Sequence, residues 1–140
     1  MNASTPSVNV GVIGLGAMGR GMAHSLRQAG YRVHVCDALP EAAKAFVKDG
    51  GVACDTPAAL AALCPVVISV VVNAAQTEEV LFGPQGAASA MRANSVFVMC
   101  STVDPNWSAT TAARLQAMGP HYLDAPISGG AAKAASGQIT

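Results

Sequence analysis

The sequence predicts an α/β fold built on a doubly wound, mostly parallel sheet. Short β-branched, apolar runs alternate with stretches of helical period at least four times along the chain, which is the pattern of strand–helix–strand units. Apolar residues make up 51% of the 140 residues and charged residues only 11%, so a disordered chain is excluded. We therefore expect one domain, residues 1–140, of ordinary size.

The first half contains two clear strand–helix pairs and a short third helix. Met18, Met22 and Leu26 recur at helical spacing, and we expect this face to pack on the sheet. Pro40 is typical of a helix start, and Gly50 and Gly51 of a helix end. The predicted elements are a strand over 8–13, a helix over 17–29, a strand over 31–36, a helix over 40–48 and a helix over 57–63.

The second half is predicted from two buried apolar runs and one capped helix. Residues 66–72 are apolar on both faces, as in a central parallel strand, and residues 95–99 form a similar run. Asp104 and Pro105 start a helix that Gly119 and Pro120 end, and a short strand follows over 121–123. Residues 137–140 resemble the beginning of another strand. Either Thr140 ends a fragment, or that strand closes the edge of the sheet.

A glycine motif lies between the first strand and the first helix. Gly14, Gly16 and Gly19 have the spacing GxGxxG, which in this context predicts dinucleotide binding. The first glycine permits a tight turn, the second lets a pyrophosphate approach the backbone, and the third lets the helix pack closely on the strand. The positive end of the helix would then face the anion. The alternative is a glycine-rich turn without a ligand.

Asp37 ends the second predicted strand, 18 residues after Gly19. An acid at this place accepts hydrogen bonds from the ribose hydroxyls and repels a 2′-phosphate, which favours NAD over NADP. Neither Arg20 nor Arg32 follows Asp37, as an arginine that binds NADP commonly would. The alternative is a solvated aspartate in a turn.

Ligands of such sheets bind beyond the carboxyl ends of the strands. Besides the glycine motif and Asp37, these ends carry Val72-Asn73, Ser101-Thr102 and residues 124–130. Ser128, Gly129 and Gly130 could present backbone N–H groups and a hydroxyl to a carboxylate. An ordinary flexible turn is the alternative there.

Composition and motifs exclude several classes of function. The net charge is zero with no basic run, which argues against nucleic acid as a partner. The longest apolar run is too short to span a membrane, and residues 1–9 show no secretion signal, so we expect a cytoplasmic protein. The three histidines and four cysteines lack the spacing of metal ligands, and no nucleophile elbow or P-loop is present. Trp107 could be a core anchor or an interface residue.

These motifs resemble the β-hydroxyacid dehydrogenase family, typified by 3-hydroxyisobutyrate dehydrogenase. The resemblance covers nearly the whole chain and rests on residues 11–19 with Met22 and Ala23, and on the segment 124–130, Asp-Ala-Pro-Ile-Ser-Gly-Gly. Residues 71–76, 80–83 and 131–137 look most like the L-threonate dehydrogenase branch of that family. The fold implied is a Rossmann-like dinucleotide-binding domain.

The resemblance also implies a reaction and its residues. NAD would take a hydride from the hydroxyl-bearing carbon of a small hydroxy acid, while a basic residue takes the hydroxyl proton. The substrate carboxylate would be held by Ser128, Gly129 and Gly130. The cofactor residues implied are Gly14, Leu15, Gly16, Ala17, Met18 and Asp37 on the adenosine and pyrophosphate side, and Val72, Asn73 and Thr102 on the nicotinamide side.

One part of the family pattern is missing before Thr140. The catalytic lysine of the family lies in a downstream GxGxxxKxxN stretch, with a helical domain that completes the site and the dimer. Lys133 follows the Ser-Gly-Gly turn and does not match that stretch. We therefore expect no catalytic residue within this chain, weak cofactor binding and little or no turnover by the chain alone, and a homo-oligomer formed through the absent C-terminal helical domain.

Three other classes of protein remain possible at this stage. A non-catalytic dinucleotide-binding module would explain the missing lysine. A related reductase of imines or of a phosphorylated sugar acid would usually take NADP and place Asn or Ser with Arg after the second strand, where this chain has Cys36 and Asp37. A methyltransferase would not explain residues 124–130.

Overall fold

A computed structural model describes residues 8–140 and has the predicted doubly wound α/β fold. Residues 1–7 lie outside the described residues. The prediction that residues 1–9 carry no secretion signal therefore falls mostly on residues that the structure does not describe. The strands of the described part are β1 (Asn9–Ile13), β2 (Arg32–Cys36), β3 (Val52–Ala53), β4 (Val66–Ser69), β5 (Val96–Met99) and β6 (His121–Asp124). Its helices are α1 (Ala17–Gln28), α2 (Pro40–Val47), α3 (Pro57–Leu63), α4 (Ala74–Phe82), α5 (Pro105–Gln116) and α6 (Gly130–Ser136), with a 3₁₀ turn at Ala88–Ala90.

The sheet is parallel throughout, with the strand order β3-β2-β1-β4-β5-β6. Strands β1 to β3 follow one another toward one edge of the sheet. Helix α3 then returns the chain to the centre, and strands β4 to β6 follow one another toward the other edge. Val12 of β1 is paired on one side with Val35 and on the other with Ile68. The strand order therefore reverses between β1 and β4, where open α/β sheets bind their ligands.

Helices on both faces bury two apolar clusters against the sheet. On one face, Ala23 of α1 and Phe46 of α2 pack with Val12, Val33 and Val35. On the other face, α3, α4 and α5 contribute Leu60, Leu81 and Leu115 to a larger cluster. Each fully buried side chain of this size stabilises the fold by about 1.5–3 kcal/mol relative to an exposed one.

The predicted packing face of the first helix is partly wrong. Leu26 packs against the core as expected, but Met18 and Met22 are only half-buried and lie outside the core cluster. The buried residues of α1 are Gly19, Gly21 and Ala23. Because glycine lets the helix backbone come so close to its neighbours, the small residues make the contact and the methionines lie beside it.

The predicted strand over 66–72 is too long. Val70 adds one hydrogen bond to the sheet, from its N–H to the carbonyl oxygen of Ile13 at 2.8 Å, and the chain then leaves the sheet. Val72 is 79% exposed. Its side chain therefore lies at the surface beyond the strand end, and not in the core.

The expectation of a further strand over 137–140 is also wrong. These residues do not join the sheet. Instead, Ser128 and Thr140 exchange two backbone hydrogen bonds, at 2.6 and 3.0 Å. The segment therefore folds back onto the loop that follows β6, because α6 reverses the chain direction between them.

Two further features concern packing and membrane association. Trp107 is half-buried and packs against the cluster on the α3–α5 face, which favours the interpretation of a core residue. Among residues 8–140, none of the helices combines the length and the apolar character needed to cross a membrane.

Candidate dinucleotide-binding site

The turn after β1 requires glycine at position 14. Gly14 has a φ of +98°, and a Cβ added there would lie 2.5 Å from the carbonyl oxygen of Val70. The Gly14 N–H donates to the carbonyl oxygen of Cys36 at 3.0 Å. A side chain would therefore meet both backbone strain and a clash, so the turn depends on glycine.

The other two glycines of the motif have opposite surroundings. A Cβ on Gly19 would lie 1.8 Å from the carbonyl oxygen of Gly14, so glycine is what lets α1 approach the turn. A Cβ on Gly16 would meet nothing within 4 Å. Gly16 is the N-cap of α1 and gives it no side-chain cap, so the helix presents its positive end to the space beside Gly16.

Asp37 is held rigidly at the end of β2. Its Oδ2 accepts a hydrogen bond from the backbone N–H of Leu15 at 2.6 Å, and its Oδ1 accepts one from the N–H of Leu39 at 2.8 Å. Each carboxylate oxygen can accept a further hydrogen bond. The half-buried carboxylate is therefore fixed next to the glycine turn with acceptor capacity left for a pair of hydroxyls.

These elements surround a cavity of about 590 Å³ at the carboxyl ends of β1, β2 and β4. This volume suits a ligand of small-molecule size. Of the predicted cofactor residues, Gly14, Gly16, Asp37 and Val72 line it. The further lining residues are Ile13, Cys36, Ala38, Pro40, Asp55, Pro57, Val70, Val71, Gln76, Glu79, Val80 and Gln85.

The remaining predicted cofactor residues lie around the cavity but not in its wall. Leu15 is 8% exposed and packs in the core, and its backbone faces Asp37. Ala17 and Met18 form the first turn of α1, which rests on the glycine loop. Their backbone N–H groups are among the first of the helix, which have no intrahelical partner.

Asn73 and Thr102 follow the ends of β4 and β5. Asn73 is the N-cap of α4, and its Oδ1 accepts a hydrogen bond from the Gln76 N–H at 2.9 Å. Gln76 in turn accepts from the Val72 N–H at 2.9 Å. Thr102 is exposed. The Asn73 side-chain oxygen therefore caps α4, and its NH₂ group is the part of the side chain that could contact a ligand.

The segment that contains Ser128, Gly129 and Gly130 is separate from the cavity. Gly129 and Gly130 have φ values of +129° and +78° and lead into α6. Helix α6 is held against α1, where Ser25 Oγ donates to the carbonyl oxygen of Ala134 at 2.6 Å. Ser128 and Gly129 therefore lie in an exposed loop, and Gly130 is the first residue of the helix that fixes it.

The start of that segment is tied to α5 through side chains. The buried Ser108 donates a hydrogen bond to Asp124 Oδ2 at 3.0 Å and shares another with Tyr122 Oη at 2.8 Å. Burial raises the pKa of Tyr122, as does the nearby Asp124 carboxylate, while the Ser108 hydrogen bond lowers it. The phenol therefore stays protonated at neutral pH and can act as a hydrogen-bond donor in this network.

Sequence reasoning missed four polar residues of the cavity. Asp55, Gln76, Glu79 and Gln85 line it, yet two of them belong to α4, which had not been predicted. Asp55 precedes Thr56 and Pro57, a sequence typical of a helix start. That signal could have placed Asp55 at a strand end.

The cysteine in the cavity wall is neutral. Burial, together with the nearby Cys54, Asp37 and Asp55, raises the pKa of Cys36 to about 11. The thiol therefore behaves as a small apolar group at physiological pH. The charges on both aspartates thus add to the effect of burial in keeping this thiol neutral.

A glycine turn at a helix start, an acid fixed at the end of β2 and an open cavity at the switch point define a dinucleotide-binding domain. The comparisons with known proteins agree. The family described as the NAD-binding domain of 6-phosphogluconate dehydrogenase matches residues 9–140. The chain belongs to this family.

Three relatives illustrate the similarity. An L-threonate dehydrogenase from Cupriavidus necator is 52% identical over 134 residues, which cover 96% of this chain and 45% of that protein. The crystal structure of a 3-hydroxyisobutyrate dehydrogenase from Salmonella typhimurium superposes with a TM-score of 0.91 at 37% identity, covering 96% of this chain and 47% of that one. The structure of Psf3 in complex with NADP+ has a TM-score of 0.87 at 26% identity, covering 93% of this chain and 46% of that one. The chain thus spans about half the length of the relatives it matches.

Proposed function

We propose that this chain is the cofactor-binding part of an NAD-dependent hydroxyacid dehydrogenase whose substrate is L-threonate. The observation that carries the cofactor assignment is the Asp37 carboxylate, fixed by two backbone N–H groups at the cavity beside the glycine turn. The substrate assignment is supported by the relative that is 52% identical and is named L-threonate dehydrogenase.

The chain's own residues would bind and orient the reactants. The N-terminal end of α1, exposed beside Gly16, would hold the pyrophosphate, since this helix end is uncapped and a side chain there would fill the space. Asp37 would accept hydrogen bonds from the ribose hydroxyls. NAD, when bound, accepts a hydride. Asn73 and Thr102 would contact the nicotinamide side.

The loop of Ser128, Gly129 and Gly130 would hold the substrate carboxylate. Its position is supported by the two ties described above, from Ser108 to Asp124 and from Ser25 to α6. The proton acceptor would be a lysine outside this chain. Lys133 is exposed on α6 and does not line the cavity, so we assign it no catalytic role. We further propose a cytoplasmic location and a homo-oligomer formed through the rest of the protein.

Calorimetry with the 140-residue chain tests the cofactor assignment. NAD+ should bind with a one-to-one stoichiometry, and Asp37→Asn should weaken it by about tenfold, as expected for the loss of a charge-assisted hydrogen bond. Asp49→Asn removes an exposed carboxylate away from the cavity and is the matched control. A wild-type chain that binds no dinucleotide would contradict the assignment.

The intact mass of the protein from its own organism tests the rest. A mass near twice the 14.0 kDa of this chain would fit a second domain of ordinary size, and NADH formation with L-threonate should then exceed that with 3-hydroxyisobutyrate. If 3-hydroxyisobutyrate is the better substrate, the substrate assignment is wrong. A mass of about 14 kDa would favour the non-catalytic dinucleotide-binding module, which is our second candidate because no lysine lines the described cavity.

A further inference from the structure

Three carboxyl groups line the candidate cofactor cavity, and among residues 8–140 no lysine or arginine does. Asp37 follows β2, Asp55 follows β3, and Glu79 lies on α4. Neither Asp55 nor Glu79 forms an ion pair within residues 8–140, where the recorded pair joins Arg114 to Glu78. The described cavity is therefore lined by negative charge on two sides without a compensating cation.

Two of these acids, Asp37 and Asp55, follow the ends of neighbouring strands at the same level of the sheet. The pairing of β2 with β3 ends at Val35 and Ala53, and the Cys54 N–H extends it by donating to the carbonyl oxygen of Val35 at 2.8 Å. Cys36 and Cys54 are therefore abreast, and the residues that follow them, Asp37 and Asp55, begin side by side. Neighbouring strands lie about 4.8 Å apart, so these two acids form one end of the cavity.

The structure also shows that both aspartates act on the same wall of the cavity. Burial and the neighbouring Cys54 raise the pKa of the Cys36 thiol, which lines the cavity, and the charges on Asp37 and Asp55 raise it further. A 2′-phosphate on the ribose that Asp37 would hold would lie within a Debye length of the charges on Asp37 and Asp55, about 8 Å at physiological ionic strength. These charges would repel it, whereas the free hydroxyls of the NAD ribose carry no charge. The pyrophosphate, which NAD and NADP share, would lie at the positive end of α1 beside Gly16.

We propose that Asp55 and Glu79 are specificity-determining residues that act with Asp37 to exclude a 2′-phosphate, so that the cavity selects NAD by the charges of all three carboxyl groups. Asp37 also accepts hydrogen bonds that hold the glycine turn. Asp55 and Glu79 have no side-chain hydrogen bonds within the described residues. Their charges can therefore be removed without loosening the turn. This inference rests on the proposed function.

Binding constants for NAD+ and NADP+ test the proposal in the wild-type chain and in three variants: Asp55→Asn, Glu79→Gln and the double variant. Each single substitution should tighten NADP+ binding by about threefold and the double variant by about tenfold, as expected for charges near a Debye length from a phosphate. NAD+ binding should change by less than twofold. Raising the salt concentration should diminish the gain, which a purely structural effect would not do.

Asp49→Asn serves as the control, because Asp49 is exposed and lies outside the cavity. It should leave the ratio of the two binding constants unchanged. The inference is overturned, and the proposed function stands, if the wild-type chain prefers NAD+ but the double variant keeps the wild-type ratio. Equal binding of NADP+ and NAD+ by the wild-type chain would contradict both the inference and the assignment of NAD as the cofactor. A chain that binds neither dinucleotide overturns the proposed function and the inference together.

Discussion

Gly19→Ala should destabilise the fold although alanine is the better helix former. The added Cβ would lie 1.8 Å from the carbonyl oxygen of Gly14, and a backbone atom cannot rotate away as a side chain can. Overpacking of this kind costs up to about 3 kcal/mol, and the helix propensity of alanine returns about 1 kcal/mol. We expect a net loss of about 2 kcal/mol in the free energy of unfolding.

That loss can be measured as a shift in the unfolding temperature. For 140 residues, an unfolding entropy of about 2.1 cal/mol/K per residue gives a decrease in Tm of about 7 °C. Thermal unfolding followed by far-UV circular dichroism, with urea unfolding as a second measurement, would detect it. The variant should also lose affinity for NAD+, because the helix end moves away from the turn.

Gly16→Ala is the matched control in the same motif. A Cβ there meets nothing within 4 Å, and the φ of −65° suits alanine. Alanine is a poorer N-cap than glycine but makes the unfolded chain less flexible, and these two effects on stability oppose each other. We therefore expect a free energy of unfolding within about 0.5 kcal/mol of the wild type. NAD+ binding should be weaker. Equal stability of Gly19→Ala and the wild type, or equal losses in both variants, would refute the reasoning.

Three further predictions concern pH, thiol chemistry and a helix cap. Burial of His34 lowers its pKa below the ordinary 6.5, so the unfolded chain takes up this proton first. The free energy of unfolding should decline as the pH falls below about 6.5 and level off below the folded-state pKa, and His34→Leu should reduce that decline; an unchanged pH profile of stability in this variant would contradict it. In the folded chain iodoacetamide should modify the partly exposed Cys54 before Cys64, whose pKa is raised to about 12, as mass spectrometry after timed quenching would show; equal rates would argue against the described burial. Asp104→Ala should cost about 1 kcal/mol in urea unfolding because Asp104 accepts from two N–H groups at the start of α5, whereas Asp49→Ala should cost less than half of that.

The fold was largely predictable because most of its elements carry a local signal. The strands at 8–13, 31–36 and 95–99 are β-branched runs, and each exists with its first residue moved by one position and its last residue as predicted. Strand β3 was missed because it has only two residues, both exposed. Helix α4 was missed because its N-cap, Asn73, follows directly on the valines that extend the β4 pattern.

The site was predictable to the extent that it depends on backbone geometry. The glycine spacing predicted the turn, and the distance from Gly19 to Asp37 predicted an acid at the neighbouring strand end. The positions of Asp55 and Glu79 in the cavity were only partly predictable: the helix start at Pro57 indicates a strand end near Asp55, whereas Glu79 lies on a helix that the sequence did not indicate. Which residues contact the cofactor and the substrate stays a prediction.

The pairing of β1 with β4 has a consequence for the order of events during folding. It is the one ladder that joins the two halves of the described sheet, and it brings together residues more than fifty positions apart in the chain. Contacts of such long range form slowly. Because the cavity takes one wall from each half, NAD+ affinity cannot develop until this pairing has formed. Binding measured during refolding would therefore report the completion of the whole sheet, and the appearance of helical structure would precede it.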